Sequence, residues 1–214
     1  QSYVSKKQRA ESTRCRCNQF ECRRTGFQHS GSYQSGCHQS RRRELFTLFS
    51  RTGHPALREA ISAKLKNENG LDYAPAQILC SNGAKQSVCN AIMALVNAGD
   101  EVIIPAPYWV SYPQMVKLAE GEPVIVEAGI EQDFKITPEQ LEAAITPKTR
   151  ALILCSPSNP TGSVYSKEEL AGLARILAQH ERVIVIADEI YEHINYIGKH
   201  AVSYTHLTLP TNSL

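Results

Sequence analysis

The 214-residue chain lacks the features that mark membrane-spanning and secreted proteins. It has no run of about 18 apolar residues, the length that a helix needs to cross a bilayer, so no transmembrane helix is predicted. The first residues lack the apolar stretch of a secretory signal, and nothing in the cysteine usage points to an oxidising compartment. We therefore predict a cytoplasmic protein with no membrane partner.

A strong net charge is also lacking, because the chain as a whole carries only +2. That total hides an asymmetry: residues 1–50 contain ten Lys and Arg against three Asp and Glu, whereas residues 51–214 contain thirteen against eighteen. The first segment has neither helical nor strand periodicity and few aliphatic residues. We predict that residues 1–50 are a basic segment that is disordered or foreign to the fold that follows.

The Cys and His residues of this basic segment raise the alternative of a zinc site in a nucleic-acid-binding protein. The residues concerned are Cys15, Cys17, Cys22, His29, Cys37 and His38. Their Cys-x-Cys-x4-Cys spacing lacks the paired Cys-x-x-Cys of common structural zinc sites, and no amphipathic recognition helix accompanies it. We therefore predict no metal and no nucleic-acid partner, and metal analysis of a 1–50 peptide would test the alternative.

Residues 51–200 alternate between helical and strand patterns, which predicts βαβ units and a parallel α/β sheet. Apolar periodicity, capping boxes and Gly stops predict helices over about 55–69, 84–98, 112–119, 138–145 and 167–179. Strands are predicted at 78–80, 101–104, 123–126, 151–155 and 183–187, the last one buried on both faces. Residues 201–214 do not continue the pattern and are predicted to be a tail outside the domain.

Two groups of candidate site residues open helices in this pattern. Ser81-Asn82-Gly83-Ala84-Lys85 is a small-residue turn that leaves backbone N–H groups free at a helix N-terminus, which suits phosphate. An ordinary helix cap is the alternative. Trp109, the single tryptophan, follows a predicted strand and could stack on a planar ligand, or it could be a core aromatic at a helix start.

Two further groups follow strands directly, where ligands bind in open α/β sheets. Ser156-Pro-Ser-Asn159-Pro-Thr-Gly162 places an amide between two prolines, which favours a rigid, extended loop, although Asn-Pro also forms plain turns. Asp188 ends an apolar strand, with Tyr191 three residues later. A carboxylate there could pair with a protonated ring nitrogen and the phenol with a ring oxygen, whereas the alternative for Asp188 is a helix cap.

Taken together, these groups closely resemble the class I, fold-type-I pyridoxal-phosphate aminotransferases, bacterial aspartate aminotransferases above all. The matching strings are Arg51-Thr-Gly-His-Pro-Ala-Leu-Arg-Glu-Ala-Ile, Pro107-Tyr-Trp-Val-Ser-Tyr, Asn159-Pro-Thr-Gly and Asp188-Glu-Ile-Tyr. They occur in the family's order, and the resemblance extends from Arg51 to about His200, about 150 of the 214 residues. The resemblance implies a three-layer αβα domain with a mostly parallel sheet, here incomplete, and a homodimer.

The resemblance also implies pyridoxal 5'-phosphate as cofactor, with an amino acid and a 2-oxo acid as substrates. Backbone groups of Gly83, Ala84 and Lys85 would hold the phosphate, and Trp109 would stack on the pyridine ring. Asn159 and Tyr191 would contact the ring's phenolic oxygen, and Asp188 would keep the pyridine nitrogen protonated. Trp109 and Asn159 would also contact the substrate, for which aspartate is the expected amino donor.

The chain departs from the family in one decisive residue. The lysine that bonds the cofactor and moves the proton is missing, because Lys199 is the only lysine after Asp188 and is too early. We therefore expect no aminotransferase activity from this polypeptide as given. The alternatives are another fold-type-I enzyme, such as a C–S lyase or a transaminase for other amino acids, and a non-catalytic fragment of the fold.

Overall fold

The structure is a computed structural model that describes residues 52–194, 196 and 202–206. The chain divides into two units, Gln1–Ser50 and Arg51–Leu214, and every described residue belongs to the second. The candidate zinc ligands and most of the 201–214 tail lie outside the described residues, so the three predicted segments of the chain stay a prediction. Within the described ranges, no helix has both the length and the apolar character to span a membrane.

Five helices and four strands alternate over most of the described residues. The helices are α1 Pro55–Asn69, α2 Ala84–Leu95, α3 Ser111–Leu118, α4 Pro138–Ala144 and α5 Lys167–Leu177. The strands are β1 Glu101–Ala106, β2 Glu122–Glu127, β3 Thr149–Cys155 and β4 Ile184–Asp188. Short 3-10 turns lie at Pro75–Gln77, Ile130–Gln132 and Tyr204–His206.

Most helix ends follow the predicted signals, but α2 ends at Leu95, three residues before the predicted end at 98, because Val96 is already extended. Capping boxes start α4, at Thr137 with Gln140, and α5, at Ser166 with Glu169. Helix α1 begins with a proline in its first turn and ends at Gly70, whose left-handed φ of 66° suits glycine. These predictions of local structure are confirmed.

The four strands form one parallel sheet in the order β2–β1–β3–β4. Hydrophobic cores lie on both of its faces because alternate residues of the central strands point opposite ways. Val102, Ile104 and Ile153 pack with α2 and α3, while Ile103 and Leu152 pack with α4 and α5. The predicted three-layer αβα class is confirmed.

Two strand predictions are wrong. Residues 78–80 belong to no strand, because no strand lies beside them among the described residues. The Cys80 N–H donates to the Thr52 carbonyl at 2.9 Å, but this bond alone does not make a strand pair. Strand β4 is not buried on both faces: its apolar residues are half-buried, and Ala187 is exposed. The reason is that β4 lies at one edge of the described sheet.

Candidate functional site

The candidate residues meet at the carboxyl edge of the parallel sheet. Trp109 follows β1, Asn159 follows β3 and Asp188 is the last residue of β4, while Gly83 precedes α2. Strands β1 and β3 are neighbours from which the chain proceeds in opposite directions, to β2 and to β4. Such a switch point is where open α/β sheets bind ligands.

One cavity of about 300 Å³ lies at this edge. That volume is at the lower end of the range for small-ligand sites, roughly 300–1,000 Å³. The cavity is lined by all seven predicted site residues and by two others: Gly83, Ala84, Lys85, Trp109, Asn159, Asp188, Tyr191, Tyr112 and Ile190. The structure therefore brings together residues that lie up to 108 positions apart in the sequence.

Asp188 is a buried carboxylate, with 8% of its surface exposed. The Tyr112 hydroxyl donates a hydrogen bond to Asp188 Oδ2 at 2.7 Å, and the Ile190 N–H donates to Oδ1 at 3.3 Å. Burial, with added repulsion from Cys155 and Asp188, raises the pKa of Tyr112 well above its usual value. Tyr112 is therefore a neutral donor at any physiological pH.

Asn159 and Tyr191 form a second pair of polar groups in the cavity, with Asn159 Nδ2 donating to the Tyr191 hydroxyl oxygen at 3.2 Å. The loop that carries Asn159 is a closed turn rather than the extended segment that was predicted. Its backbone folds back so that the Ser158 N–H bonds the Ser163 carbonyl and the Gly162 N–H bonds the Ser158 carbonyl, both at 2.9 Å.

Trp109 forms an aromatic wall of the cavity rather than part of a closed core, because it is only partly buried. Its ring meets Tyr112 edge to face, with centroids 5.4 Å apart at 90°. The Lys85 ammonium lies 5.0 Å from the centroid of the indole ring, within cation–π range. A flat aromatic face and a cation thus border the same space.

The start of α2 has the character of an anion site. No side chain caps this helix N-terminus, and the Ala84 and Lys85 N–H groups have no hydrogen-bond acceptor among the described residues. The Ser81 hydroxyl oxygen is buried in the same turn, with no hydrogen-bond partner in the part of the chain that the structure describes. Gly83 has a φ of 82° and open space where a side chain would be. Unsatisfied donors at a helix N-terminus attract phosphate.

These features fit a flat cofactor that carries a phosphate at one end and a protonated ring nitrogen at the other. The donors of α2 suit the first group, and the buried Asp188 carboxylate suits the second. Within the described residues, no group of three or more His, Cys, Asp or Glu side chains could hold a metal ion.

Sequence reasoning missed Tyr112 as a site residue and assigned it only to the apolar stripe of a helix. Its hydroxyl partner is Asp188, 76 positions away, which periodicity cannot reveal. The available signal was its position three residues after Trp109, at the start of the helix that follows it. Ile190 was missed because its backbone N–H, not its side chain, makes the contact with Asp188.

Comparison with known proteins identifies the family. The model of the family described as "Aminotransferase class I and II" matches residues 33–210. The chain belongs to this family. The residues that match the family model extend beyond both ends of the predicted 51–200 domain. Class I aminotransferases of the aspartate aminotransferase type use pyridoxal 5'-phosphate, the cofactor whose two ends the cavity fits.

Curated relatives from the family are similar over most of the described domain. A bifunctional aspartate aminotransferase and glutamate/aspartate-prephenate aminotransferase of Petunia hybrida is 57% identical over 155 residues, which are 72% of this chain and 32% of the relative. An aspartate aminotransferase of Geobacillus stearothermophilus is 52% identical over 157 residues, 73% of this chain and 39% of the relative. The chain thus spans about a third of the length of the curated relatives it matches.

Solved aminotransferases share the fold. The aspartate aminotransferase of Rhizobium meliloti has a TM-score of 0.79 at 40% identity, covering 85% of this chain and 45% of the other. The aspartate aminotransferase of Thermus thermophilus with maleate has a TM-score of 0.77 at 38% identity, covering 88% of this chain and 52% of the other.

Proposed function

We propose that this chain supplies the cofactor-binding part of a pyridoxal-phosphate-dependent enzyme that transfers an amino group between aspartate and a 2-oxo acid. The observation that carries the proposal is the cavity in which a buried carboxylate, an aromatic wall and an unsatisfied helix N-terminus lie together. The names of the relatives support aspartate as the amino donor.

Each cavity residue receives a role in this proposal. The N–H groups of Ala84 and Lys85 bind the phosphate, and Trp109 covers the ring. The Gly83 N–H already donates to the Ser81 carbonyl at 3.0 Å, so Gly83 contributes open space beside the phosphate and no donor. Asp188, held by Tyr112, accepts a hydrogen bond from the protonated pyridine nitrogen. When bound, the protonated ring supplies an electron sink for the substrate carbanion.

The remaining polar pair of the cavity, Asn159 and Tyr191, would serve the phenolic oxygen of the ring. The Tyr191 hydroxyl and the Asn159 amide hydrogen-bond the ring's phenolic oxygen, and Asn159 orients the substrate together with Trp109. The 3.2 Å contact between Asn159 and Tyr191 supports this role, since it places both groups where one oxygen could meet them.

Binding is the property that tests the site in this chain directly. The probe is 4'-deoxypyridoxine 5'-phosphate, which lacks the aldehyde and so cannot bond to surface lysines. Trp109 is the single tryptophan, so its fluorescence reports on the cavity alone. We expect saturable quenching, weakened roughly 10- to 100-fold by Asp188→Asn, since a hydrogen bond to a charged group contributes about 1.5–3 kcal/mol.

The matched control for that variant is Asp72→Asn, because the Asp72 side chain is largely exposed and pairs with Lys66 on the surface. Its affinity should equal that of the wild type. Absence of saturable quenching in the wild type would reject the proposed function, and equal weakening by both variants would reject the role of Asp188.

Turnover is tested with the product of the complete reading frame that encodes this chain. We expect aspartate and 2-oxoglutarate to give oxaloacetate and glutamate, and no ammonia or thiol from cystathionine. Release of pyruvate and ammonia from cystathionine would instead favour the C–S lyase alternative. The 214-residue polypeptide should be inactive, because it lacks the lysine that bonds the cofactor.

A homodimer is proposed from the family likeness alone, and sedimentation of the same full product tests it. The cytoplasmic location and the absence of membrane and nucleic-acid partners stay predictions.

A further inference from the structure

Among the described residues, apolar packing does not hold the turn that carries Tyr191 into the cavity. Its two isoleucines are exposed, Ile190 by 59% and Ile194 by 61%. Two backbone bonds shape the turn locally, from Glu192 N–H to the Glu189 carbonyl at 3.0 Å and from Ile194 N–H to the Tyr191 carbonyl at 2.8 Å. Neither bond connects the turn to another element. The first residue of the turn is tied to another segment, because the Glu189 carboxylate accepts hydrogen bonds from Ser203 Oγ at 2.8 Å and from the Tyr204 N–H at 3.0 Å. Beyond Tyr191, a different contact anchors the turn.

That contact is a closed triangle of polar side chains, the Lys64–Asn69–Glu192 cluster. The Glu192 carboxylate forms an ion pair with Lys64 Nζ and accepts a hydrogen bond from Asn69 Nδ2 at 2.8 Å. Lys64 Nζ also donates to Asn69 Oδ1 at 2.7 Å, which closes the triangle. Both partners of Glu192 lie in the second half of α1, more than 120 positions away.

The cluster is sheltered from solvent. Asn69 is buried, and only 16% of the Glu192 side chain is exposed. Burial alone would raise the pKa of Glu192, but the hydrogen bonds and charge of Lys64 and Asn69 outweigh it and hold that pKa below its usual value. Glu192 is therefore ionised at neutral pH, and its partners neutralise and satisfy it. His193, which is largely exposed, lies at the rim, 3.4 Å from Glu192 and 3.5 Å from Glu68.

We propose that Glu192 is a positioning residue for the site, and that the Lys64–Asn69–Glu192 cluster fixes the Tyr191 hydroxyl in the cavity. Glu192 is adjacent to Tyr191, so anchoring its side chain on α1 fixes the backbone from which the phenol extends. The consequence is the 3.2 Å contact between Tyr191 and Asn159. The effect on a bound cofactor rests on the proposed function, whereas the anchoring of the turn does not.

The first test therefore uses the chain without ligand. Amide hydrogen exchange of the 189–194 turn, followed by mass spectrometry, should speed up at least tenfold in Glu192→Ala. Glu59→Gln removes a carboxylate from an exposed position on the same helix α1 and should leave this exchange unchanged. Exchange of the turn that is equal in the wild type and in Glu192→Ala would overturn the proposal, whatever the chain binds.

The second test reads the position of the phenol. Absorbance titration of bound 4'-deoxypyridoxine 5'-phosphate gives the pKa of its 3-hydroxyl, which a hydrogen bond from Tyr191 to the ionised oxygen lowers. Glu192→Ala and Tyr191→Phe should each raise this pKa, and the double variant should raise it no further. Full additivity of the two effects would contradict the proposal.

Exchange of the two charges provides a rescue that a general loss of stability would not show. Lys64→Glu combined with Glu192→Lys should recover a large part of the effect of either single variant, because the ion pair is restored with its ends reversed. Binding by the wild type combined with unchanged titration in Glu192→Ala would reject the positioning role while leaving the proposed function intact.

Discussion

The Tyr112–Asp188 hydrogen bond gives the sharpest prediction about the stability of the site. Tyr112→Phe removes the donor from a 2.7 Å bond to a buried carboxylate and keeps the ring that packs against Trp109. Hydrogen bonds to charged groups contribute about 1.5–3 kcal/mol, and a buried acceptor left without a donor costs a similar amount. We expect Tyr112→Phe to lower the free energy of unfolding by about 1.5–3 kcal/mol.

Urea unfolding at pH 7, followed by the fluorescence of Trp109 and by circular dichroism, measures this change. Tyr196→Phe is the matched control: Tyr196 is 98% exposed, so its loss should change stability by less than about 0.5 kcal/mol. In an Asp188→Ala background the carboxylate is gone, and the cost of Tyr112→Phe should fall towards zero. The account of this bond would be refuted if Tyr112→Phe lowered the free energy of unfolding of the wild type by less than about 0.5 kcal/mol, or by the same amount with and without Asp188→Ala.

Three further predictions concern the scaffold around the site. Gly53→Ala places a Cβ 2.7 Å from Cys80 Cβ at a φ of 103°, so it should lower the free energy of unfolding in urea by about 2 kcal/mol or more. Gly99→Ala, at a φ of 81° but in open space, should lower it by less. Ser166→Ala removes the α5 capping bond and should cost about 1 kcal/mol by the same measurement. Burial alone would raise the pKa of Glu169, but hydrogen bonds from Lys135 and from the Ser166 N–H hold that pKa below its usual value. The ionised Glu169 carboxylate therefore stabilises the fold at neutral pH, and this stabilisation is lost on acidification. The stability difference between the wild type and Glu169→Gln should therefore shrink as the pH falls from the unfolded pKa of about 4.3 through the lower folded pKa, and a difference that grows on acidification would contradict the sign.

Much of the fold could be predicted because its signals are local. The capping boxes at Thr137 and Ser166 place two helix starts, and apolar periodicity places the helices that cover the two sheet faces. The seven candidate residues could be placed on one sheet edge because every group follows a strand or opens a helix. Their chemical roles came from resemblance and were not derivable from periodicity.

The errors arose where neighbours in space decide the outcome. The segment 183–187 is as apolar as a central strand, yet β4 lies at an edge of the described sheet and is half exposed. The segment 78–80 has strand composition but no neighbouring strand among the described residues. The Tyr112–Asp188 bond and the Lys64–Asn69–Glu192 cluster join positions 76 or more apart, so no local pattern contains them.

The central claim is that Asp188 holds a protonated pyridine nitrogen in this cavity. Nitrogen NMR of ring-labelled 4'-deoxypyridoxine 5'-phosphate bound to the chain tests it directly at pH 8, where the free pyridine nitrogen titrates towards its neutral form. The account predicts the chemical shift of a protonated nitrogen in the wild type and in Asp72→Asn, and that of a neutral nitrogen in Asp188→Asn. A neutral nitrogen in the wild-type complex, or a protonated one that persists in Asp188→Asn, would contradict it.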